Sequence, residues 1–263
     1  MRFAATLLIL LTIGRAASGA EVHAVKAPSE EQKPTYTLLY EGSAARYTLI
    51  VILGGAGRIG FNENTKDTRT QSALMTQLLS KTVSGRASAN VVIFDSPAPL
   101  EPNSMRWGDE HLGRVRGVVD FYKKKFHQPL VLFGHSNGSV SASEYLNKYR
   151  EDANIDGMVL SASLSRTANS NLHLRQPPTI PLLILHHQND ECRYTPFDGA
   201  KRSYESIASF SKSVTELAAV TGGQSRGDPC RDGTHMYYGA YEEAAASVSK
   251  FVDEHVLKKR LGP

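Results

Sequence analysis

A serine, an aspartate and a histidine stand where they could perform nucleophilic catalysis. Ser136 lies in the sequence Gly-His-Ser-Asn-Gly, Asp190 follows His-His-Gln-Asn, and His235 follows Asp-Gly-Thr. A serine hydroxyl is a poor nucleophile unless a histidine removes its proton and a carboxylate orients that histidine. The three residue types therefore suggest acyl transfer through a serine, provided that the fold brings them together.

The surroundings of Ser136 match the G-x-S-x-G pattern of a nucleophile elbow. The pattern directly follows an apolar run at 130–133 and directly precedes a stripe of helical period, which is the strand–turn–helix context that the elbow requires. Side chains at Gly134 and Gly138 would collide with neighbouring backbone there. The N–H of Asn137, at the start of the helix, would face negative charge that develops beside the serine. We therefore expect Ser136 to be the nucleophile and Asn137 to serve in an oxyanion hole.

The acid and the base are predicted from their order along the chain. In the elbow architecture an acid follows a later strand and a histidine comes near the C-terminus. Asp190 lies in the loop at the end of a predicted strand, and His235 is the only histidine between the last predicted strand and the last predicted helix. Glu191 remains an alternative acid. Asp228 and Asp232 are weaker alternatives because they precede His235 in its own loop.

A second glycine pattern, Gly-Ala-Gly-Arg-Ile-Gly at 55–60, points to different chemistry. It matches G-x-G-x-x-G and resembles the opening of short-chain dehydrogenases. A dinucleotide site needs a helix after the glycines and an acidic residue about 20 residues later. A polar stretch follows Gly60 instead, Asp95 comes late, and no tyrosine has a lysine four places on. We expect no nucleotide and no other cofactor, and we interpret Asp95 as a structural hydrogen-bonding residue.

These candidates need a scaffold, and the apolar pattern predicts one. Runs rich in Val, Ile and Leu that do not alternate with polar residues are typical of strands buried on both faces. We predict strands over 37–40, 47–53, 91–94, 130–133, 157–160, 182–185 and 215–220. Helical periodicity lies over 112–126, 138–149 and 241–252, and further helices are expected over 69–81 and 201–212. The alternation predicts an α/β domain with a mostly parallel sheet and helices on both faces.

With these motifs in this order, residues 35–263 resemble the α/β-hydrolase superfamily. The acid loop, His-His-x-x-Asp-x-Cys, is similar to that of exported bacterial serine hydrolases of uncertain substrate. The resemblance implies a triad of Ser136, Asp190 and His235. It also implies a second oxyanion N–H from the loop after an early strand. We assign that N–H to Ala56, with Gly55 as the alternative.

The resemblance leaves the substrate open, so the loops guide the expectation. About 19 residues, Ser161–Thr179, separate two predicted strands and have little apolar periodicity, which predicts no substantial lid. We expect an open site whose substrate-contacting residues are Trp107, Phe61, Tyr237, Tyr238, Arg58 and Arg193, the two arginines recognising an anionic group. A carboxylesterase acting on short-chain or polar esters fits best. A peptidase, a lactone hydrolase or a non-catalytic binding protein of this fold remain alternatives.

The N-terminal segment Met1–Ala20 has the pattern of a secretory signal peptide. It combines Arg2, an apolar run at 3–13 and small residues before Glu21. That run is shorter than the roughly 20 residues of a membrane span. Arg15, just after it, keeps an uncleaved anchor open as an alternative. We expect an exported protein, periplasmic or secreted, with a polar lead at 21–34 before the hydrolase domain and no stable membrane insertion.

Charge and cysteine content complete the expectations. The chain has 30 Lys and Arg against 26 Asp and Glu, an excess too small to indicate a nucleic-acid partner. Cys192 and Cys230 are its two cysteines, and in an oxidising compartment such a pair is usually bridged. Their bridge would join the acid loop to the base loop. We expect no metal at His186, His187, Asp190 and Cys192, because adjacent strand residues face opposite ways. The oligomeric state is left open.

Overall fold

The computed structural model describes residues 20–62, 64, 88–163 and 174–258. The predicted helix at 69–81 and the signal peptide, apart from Ala20, lie outside them. Eight strands form one sheet in the order β1-β2-β4-β3-β5-β6-β7-β8. Their bounds are β1 Glu21–Val25, β2 Thr35–Tyr40, β3 Tyr47–Ile52, β4 Ala89–Asp95, β5 Leu130–His135, β6 Gly157–Ser161, β7 Leu182–His187 and β8 Thr215–Val220.

Strands β3 to β8 run parallel to one another. Strand β2 is antiparallel to both of its neighbours, β1 and β4. Strand β1 lies within the predicted polar lead at 21–34 and was not expected from the sequence. As an edge strand it buries only Val25 fully, so its composition resembles that of a loop. Most other strands extend a residue or two beyond the apolar runs, because polar residues such as Asp95 and His135 continue the hydrogen-bonded ladder.

The described residues include four α-helices that cover the sheet: α1 Asp109–Phe126, α2 Gly138–Tyr149, α3 Phe197–Phe210 and α4 Tyr241–Phe251. Short 3-10 turns occur at Asn103–Trp107, Arg150–Ala153 and Gly233–Met236, and Val252–Leu257 continues α4 as a π-helix. Helix α1 starts with Asp109 and Glu110 and has three lysines in its last turn, an arrangement that suits the helix dipole. Helix α3 begins before the predicted 201–212 because Pro196 ends the preceding loop.

Two apolar clusters lie on opposite faces of the sheet. Leu49 and Val51 of β3 pack in the cluster that includes α4. Ile50 and Ile52 pack in the cluster that includes α1, α2 and α3. Because neighbouring residues of one strand enter different clusters, the central strands are buried on both faces, as their sequences predict. Because strands β3 to β8 run in the same direction, they end at one common edge of the sheet. The loops after β3, β5, β7 and β8 meet at that edge.

The connection between β6 and β7 is short and holds no helix or strand in its described parts, 162–163 and 174–181. Residues 164–173 lie outside the described residues. Across the described ranges, no helix has both the length and the apolar character needed to cross a membrane.

Candidate active site

Ser136 occupies a tight turn between β5 and α2. Its φ is 52°, in the left-handed region that non-glycine residues rarely adopt. Its N–H donates to Ser161 O at 2.8 Å. A Cβ at Gly134 would lie 2.5 Å from Gly138 O, and one at Gly138 would lie 2.1 Å from Ile52 O. Both positions flanking the turn therefore need glycine, and the turn holds the serine at the carboxyl edge of the sheet.

Asp190 and His235 lie together at the same edge. Asp190 follows β7, and His235 lies in the 3-10 turn between β8 and α4. His235 Nδ1 is 3.0 Å from Asp190 Oδ2, and the side chains are 1% and 0% exposed. A carboxylate at this distance keeps the ring proton on Nδ1 and leaves Nε2 free to accept a proton. The pair can therefore act as a general base oriented by an acid.

The Asp190 carboxylate is held by further donors. Oδ1 accepts from the Cys192 N–H at 2.9 Å, and Oδ2 accepts from Thr195 Oγ1 at 2.8 Å. His186 Nε2 is 3.3 Å from Oδ2. Burial raises the pKa of the Asp190 carboxyl, but hydrogen bonds from His186 and His235 outweigh burial and hold the pKa well below its ordinary value. Asp190 is therefore a carboxylate at neutral pH.

A cavity of about 380 Å³ brings the serine and the histidine onto one surface. Ser136 and His235 both line it, together with His135, Met236 and the loop after β3. Among the described residues, no hydrogen bond joins Ser136 Oγ to the His235 ring. Such contacts are often long without substrate and tighten when it binds.

The glycine loop after β3 packs against Ser136. A Cβ at Gly54 would lie 2.7 Å from Ser136 Cβ, so the backbone approaches as closely as it can. The Gly57 N–H donates to Gly54 O at 2.9 Å and closes a turn. Asn137 Nδ2 donates to Gly55 O at 3.3 Å and ties the elbow to this turn. Within the described ranges, no hydrogen bond occupies the N–H of Gly55, Ala56 or Asn137, so all three can donate to an oxyanion.

Comparison with solved structures decides the fold. The dienelactone hydrolase from Anabaena variabilis matches with a TM-score of 0.60 and 13% identity, covering 90% of this chain and 99% of that one. An α/β serine hydrolase without lid from Xanthomonas campestris gives 0.58 and 14%, covering 89% and 94%. An esterase from Pyrococcus furiosus gives 0.59 and 13%, covering 90% and 93%. The chain has the α/β-hydrolase fold.

Sequence comparison adds nothing to this identification, since no protein-family model and no curated protein matches the chain. The solved structures confirm, at the level of the fold, the resemblance that the motifs predicted. At identities this low, the solved structures show the fold alone, and the roles of individual residues depend on the geometry of this chain.

The second glycine pattern, Gly-Ala-Gly-Arg-Ile-Gly at 55–60, is held by a buried carboxylate. The buried Asp95 carboxylate accepts hydrogen bonds from the N–H groups of Ile59, Gly60 and Phe61 at 2.6, 2.9 and 2.6 Å. Such backbone groups would be needed to hold a nucleotide phosphate. Residues 58–62 also open no helix. Asp95 is therefore the structural hydrogen-bonding residue that the sequence suggested.

Two of the predicted substrate-contact residues are buried and need correction. Phe61 is 5% exposed and belongs to the core cluster beneath the loop. Tyr237 is fully buried: its hydroxyl lies 2.9 Å from Ser161 Oγ and donates to Leu185 O. A left-handed turn at Tyr237, with φ 58°, accompanies this inward placement. Both residues support the site from below and do not form its rim.

The other predicted rim residues divide differently. Arg58 lines the cavity, joined on that rim by Glu101 and Arg231. Trp107 is exposed at the end of the turn Asn103–Trp107 but is not part of the cavity lining. Arg193 lies over the Tyr194 ring, and Arg226 lies over the Tyr238 ring. None of these four residues lines the cavity. The predicted anion-binding pair of Arg58 and Arg193 is therefore not brought together around the cavity.

The disulfide between Cys192 and Cys230 is present, with a Cα–Cα distance of 4.5 Å. One end lies beside Asp190 and the other lines the cavity. The four residues considered as metal ligands do not form one cluster: His186 Nε2 lies 3.3 Å from Asp190 Oδ2, but His187 Nε2 contacts Gly222 O and Cys192 is in the disulfide.

Sequence reasoning missed three buried polar residues around the site. Thr195, in the acid loop, contacts both Asp190 and His235. The His135 ring lies 5.1 Å from the His235 ring and contacts Ser161 and Met236. Arg106 reaches the loop after β3 from a distant turn. Thr195 and His135 could have been suspected from their closeness to Asp190 and Ser136, but the sequence carries no signal for Arg106.

Proposed function

We propose that the protein is an exported serine hydrolase that cleaves carboxylic esters through an acyl-enzyme. The observation that carries the proposal is the hydrogen-bonded pair of Asp190 and His235, whose histidine lines one cavity with Ser136, a serine on a strained elbow. Ser136, His235 and Asp190 are then nucleophile, general base and orienting acid.

In the proposed reaction His235 Nε2 takes the proton of Ser136 as the oxygen attacks the ester carbonyl. The N–H groups of Asn137 and Ala56 bind the oxyanion that forms. The tetrahedral intermediate then collapses, and His235 protonates the departing alcohol. Water, deprotonated by the same imidazole, attacks the acyl-enzyme and releases the acid and the free serine. Asp190 stabilises the imidazolium in both halves of the reaction.

Short-chain or polar esters suit the cavity best. It measures about 380 Å³ and carries charged residues on its rim, Arg58, Glu101 and Arg231. Long acyl chains need an extended apolar surface, which such a rim does not offer. The similar protein from Xanthomonas campestris is itself described as lacking a lid. The disulfide favours an oxidising compartment, in keeping with a signal peptide at 1–20.

Fluorophosphonate labelling of the purified protein tests the proposal. Wild type should label, and Ser136→Ala should not. Ser163→Ala is a matched control, because Ser163 is buried and its hydroxyl has no hydrogen-bond partner among the described residues. Absence of labelling in wild type would refute the serine hydrolase. A panel of p-nitrophenyl esters from acetate to palmitate, with anilides and lactones beside it, then tests the substrate class; preference for palmitate would contradict the short-chain assignment.

A further inference from the structure

Arg106 is a buried cation with no carboxylate among its hydrogen-bond partners in the described residues. Its side chain is 0% exposed. Nη2 donates to Gly55 O at 2.8 Å, and Nη1 donates to Leu53 O at 3.3 Å and to Ser141 Oγ at 3.0 Å. Burial lowers the pKa of Arg106 to about 10, although the Glu101 carboxylate acts in the opposite direction, so the side chain is still charged at neutral pH. Burying a charge without a directly bonded carboxylate is costly, so the two carbonyls and the hydroxyl that Arg106 binds must stabilise it.

The two carbonyl groups that Arg106 binds belong to the loop beside the nucleophile. Gly55 O is part of the peptide group that also carries the Ala56 N–H. In a planar trans peptide the C=O and N–H point in opposite directions. Fixing the direction of Gly55 O therefore fixes the direction of the Ala56 N–H.

The glycines around Ala56 make this control necessary. Gly55 and Gly57 have φ values of 53° and 66°, and glycine imposes little preference of its own on neighbouring peptide planes. A Cβ at Gly57 would lie 3.1 Å from Arg106 Nη2, so the guanidinium packs directly against the turn. Without Arg106, the carbonyl of Gly55 would keep only its 3.3 Å contact with Asn137 Nδ2.

The remaining carbonyl groups of the turn are also bound. Gly54 O accepts from Gly57, Ala56 O accepts from the Leu100 N–H at 2.8 Å, and Gly57 O accepts from the Ser96 N–H at 3.1 Å. The turn is thus anchored through its carbonyl groups, whereas no hydrogen bond among the described residues uses the N–H groups of Gly55 and Ala56. Both residues line the cavity, so these two N–H groups are available to a bound oxyanion.

We infer that Arg106 is a positioning residue for the oxyanion hole: by holding the carbonyls of Leu53 and Gly55 it aims the Ala56 N–H at the oxyanion. A charge-assisted hydrogen bond to the carbonyl also polarises the peptide group and makes its N–H a stronger donor. The inference rests on the proposed serine hydrolase, since it assigns a role within that reaction.

Kinetics of Arg106→Met and Arg106→Lys test this role. Methionine removes the charge and both carbonyl contacts, whereas lysine keeps the charge but cannot bind two carbonyls in the same way. We expect kcat to fall about 10- to 100-fold in Arg106→Met, since losing a whole oxyanion donor costs roughly 100- to 1,000-fold. In Arg106→Met the KM should stay within about twofold, and the affinity for a boronic acid analogue should fall together with kcat. The kcat of Arg106→Lys should lie between those of wild type and Arg106→Met.

Arg114→Met is the matched control. Arg114, on α1, is also buried and also binds a backbone carbonyl, Lys33 O at 2.7 Å. Among the described residues its other partners are Glu110 and Thr35, and none of its hydrogen bonds reaches the loop after β3. Arg114→Met should lose stability while the folded protein keeps its kcat. Unchanged kcat in folded Arg106→Met, or a loss confined to KM, would overturn the inference. So would failure of both Arg106 variants to fold under conditions where Arg114→Met folds, because the arginine would then serve the fold alone.

A second measurement does not depend on turnover. In protein labelled with 15N-alanine, the Ala56 amide signal should shift and its hydrogen exchange should accelerate in Arg106→Lys but not in Arg114→Met. If wild type does not react with fluorophosphonate, the proposed hydrolase is refuted. If wild type reacts with fluorophosphonate but the Ala56 amide signal of Arg106→Lys is unchanged, only the positioning role is refuted.

Discussion

The hydroxyl of Thr195 donates a hydrogen bond to Asp190 Oδ2 at 2.8 Å and lies 3.1 Å from His235 Nδ1. Thr195 is fully buried, so water cannot replace this donor. The threonine therefore helps to fix the carboxylate oxygen that orients the imidazole.

Thr195→Val should lower kcat by about 10-fold or more, because it keeps the shape of the side chain but removes a hydrogen bond to a charged group, worth roughly 1.5–3 kcal/mol. Thr195→Ser retains the hydroxyl and should stay near wild type. Steady-state kinetics with a p-nitrophenyl ester measures both variants. Equal activity of the valine and serine variants would contradict the role.

Asp190→Asn should lower kcat by about 10⁴-fold, as the amide cannot stabilise an imidazolium and favours the wrong tautomer. Glu191→Gln is the control that separates the two candidate acids. Glu191 is exposed and accepts from Ser225 Oγ at 2.7 Å, away from His235. The assignment of the acid fails if Glu191→Gln loses more activity than Asp190→Asn.

Reduction of the disulfide should lower activity before it unfolds the sheet. The bond connects residues 38 apart and stabilises the fold by about 3–4 kcal/mol in the chain-entropy model. Its direct neighbours are Asp190 and the cavity wall, so the site loosens first. Activity and far-ultraviolet circular dichroism are followed together as reductant is raised, with Cys192→Ser/Cys230→Ser as a second form. Loss of both signals at the same reductant concentration would show that the bond supports only global stability.

Two buried histidines should make the protein sensitive to acid. Burial, together with His235, lowers the pKa of His135 to about 3. Burial, together with Arg106 and Arg114, lowers the pKa of His111 to about 3. The unfolded chain binds these protons below about pH 6.5, whereas the folded chain does not. Stability is therefore fully present above that pH and falls as the pH approaches 3, by about 1.4 kcal/mol per pH unit for each histidine.

Urea unfolding at pH values between 7 and 4 measures this slope, because the loss of stability is expected between the folded pKa of about 3 and the unfolded pKa of about 6.5. His135→Gln and His111→Gln should each flatten the curve by the contribution of one proton. His127→Asn serves as the control, since His127 is exposed and asparagine accepts its left-handed φ of 53°. Parallel curves for wild type and the buried-histidine variants would refute the prediction.

The sequence predicted those parts of the site that are encoded locally. Ser136 was identifiable because its glycines, strand and helix adjoin it in the chain. Asp190 and His235 were identifiable as loop residues at predicted strand ends. Arg106 and Tyr237 were not, because their burial depends on how distant elements pack. A tyrosine or arginine in a polar loop has the same local sequence whether it faces solvent or the core.

The same distinction holds for the sheet. Strands buried on both faces, such as β3 and β5, have continuous apolar runs and were predicted closely. Among the described strands, β1 pairs with β2 alone, and four of its five residues are exposed or half-buried. Its five residues carry too little apolar character to distinguish a strand from a polar lead.

The strand order has a consequence for the synthesis of the chain. Strands β5, β6, β7 and β8 join the sheet side by side in the order in which they are made, so each new strand can dock on the previous one without rearrangement. Ser136, the proposed nucleophile, follows β5, whereas His235, the proposed base, is made only after β8. A nascent chain can therefore contain all eight strands of the described sheet while still lacking His235, and the proposed hydrolytic activity could begin only after that histidine has been made.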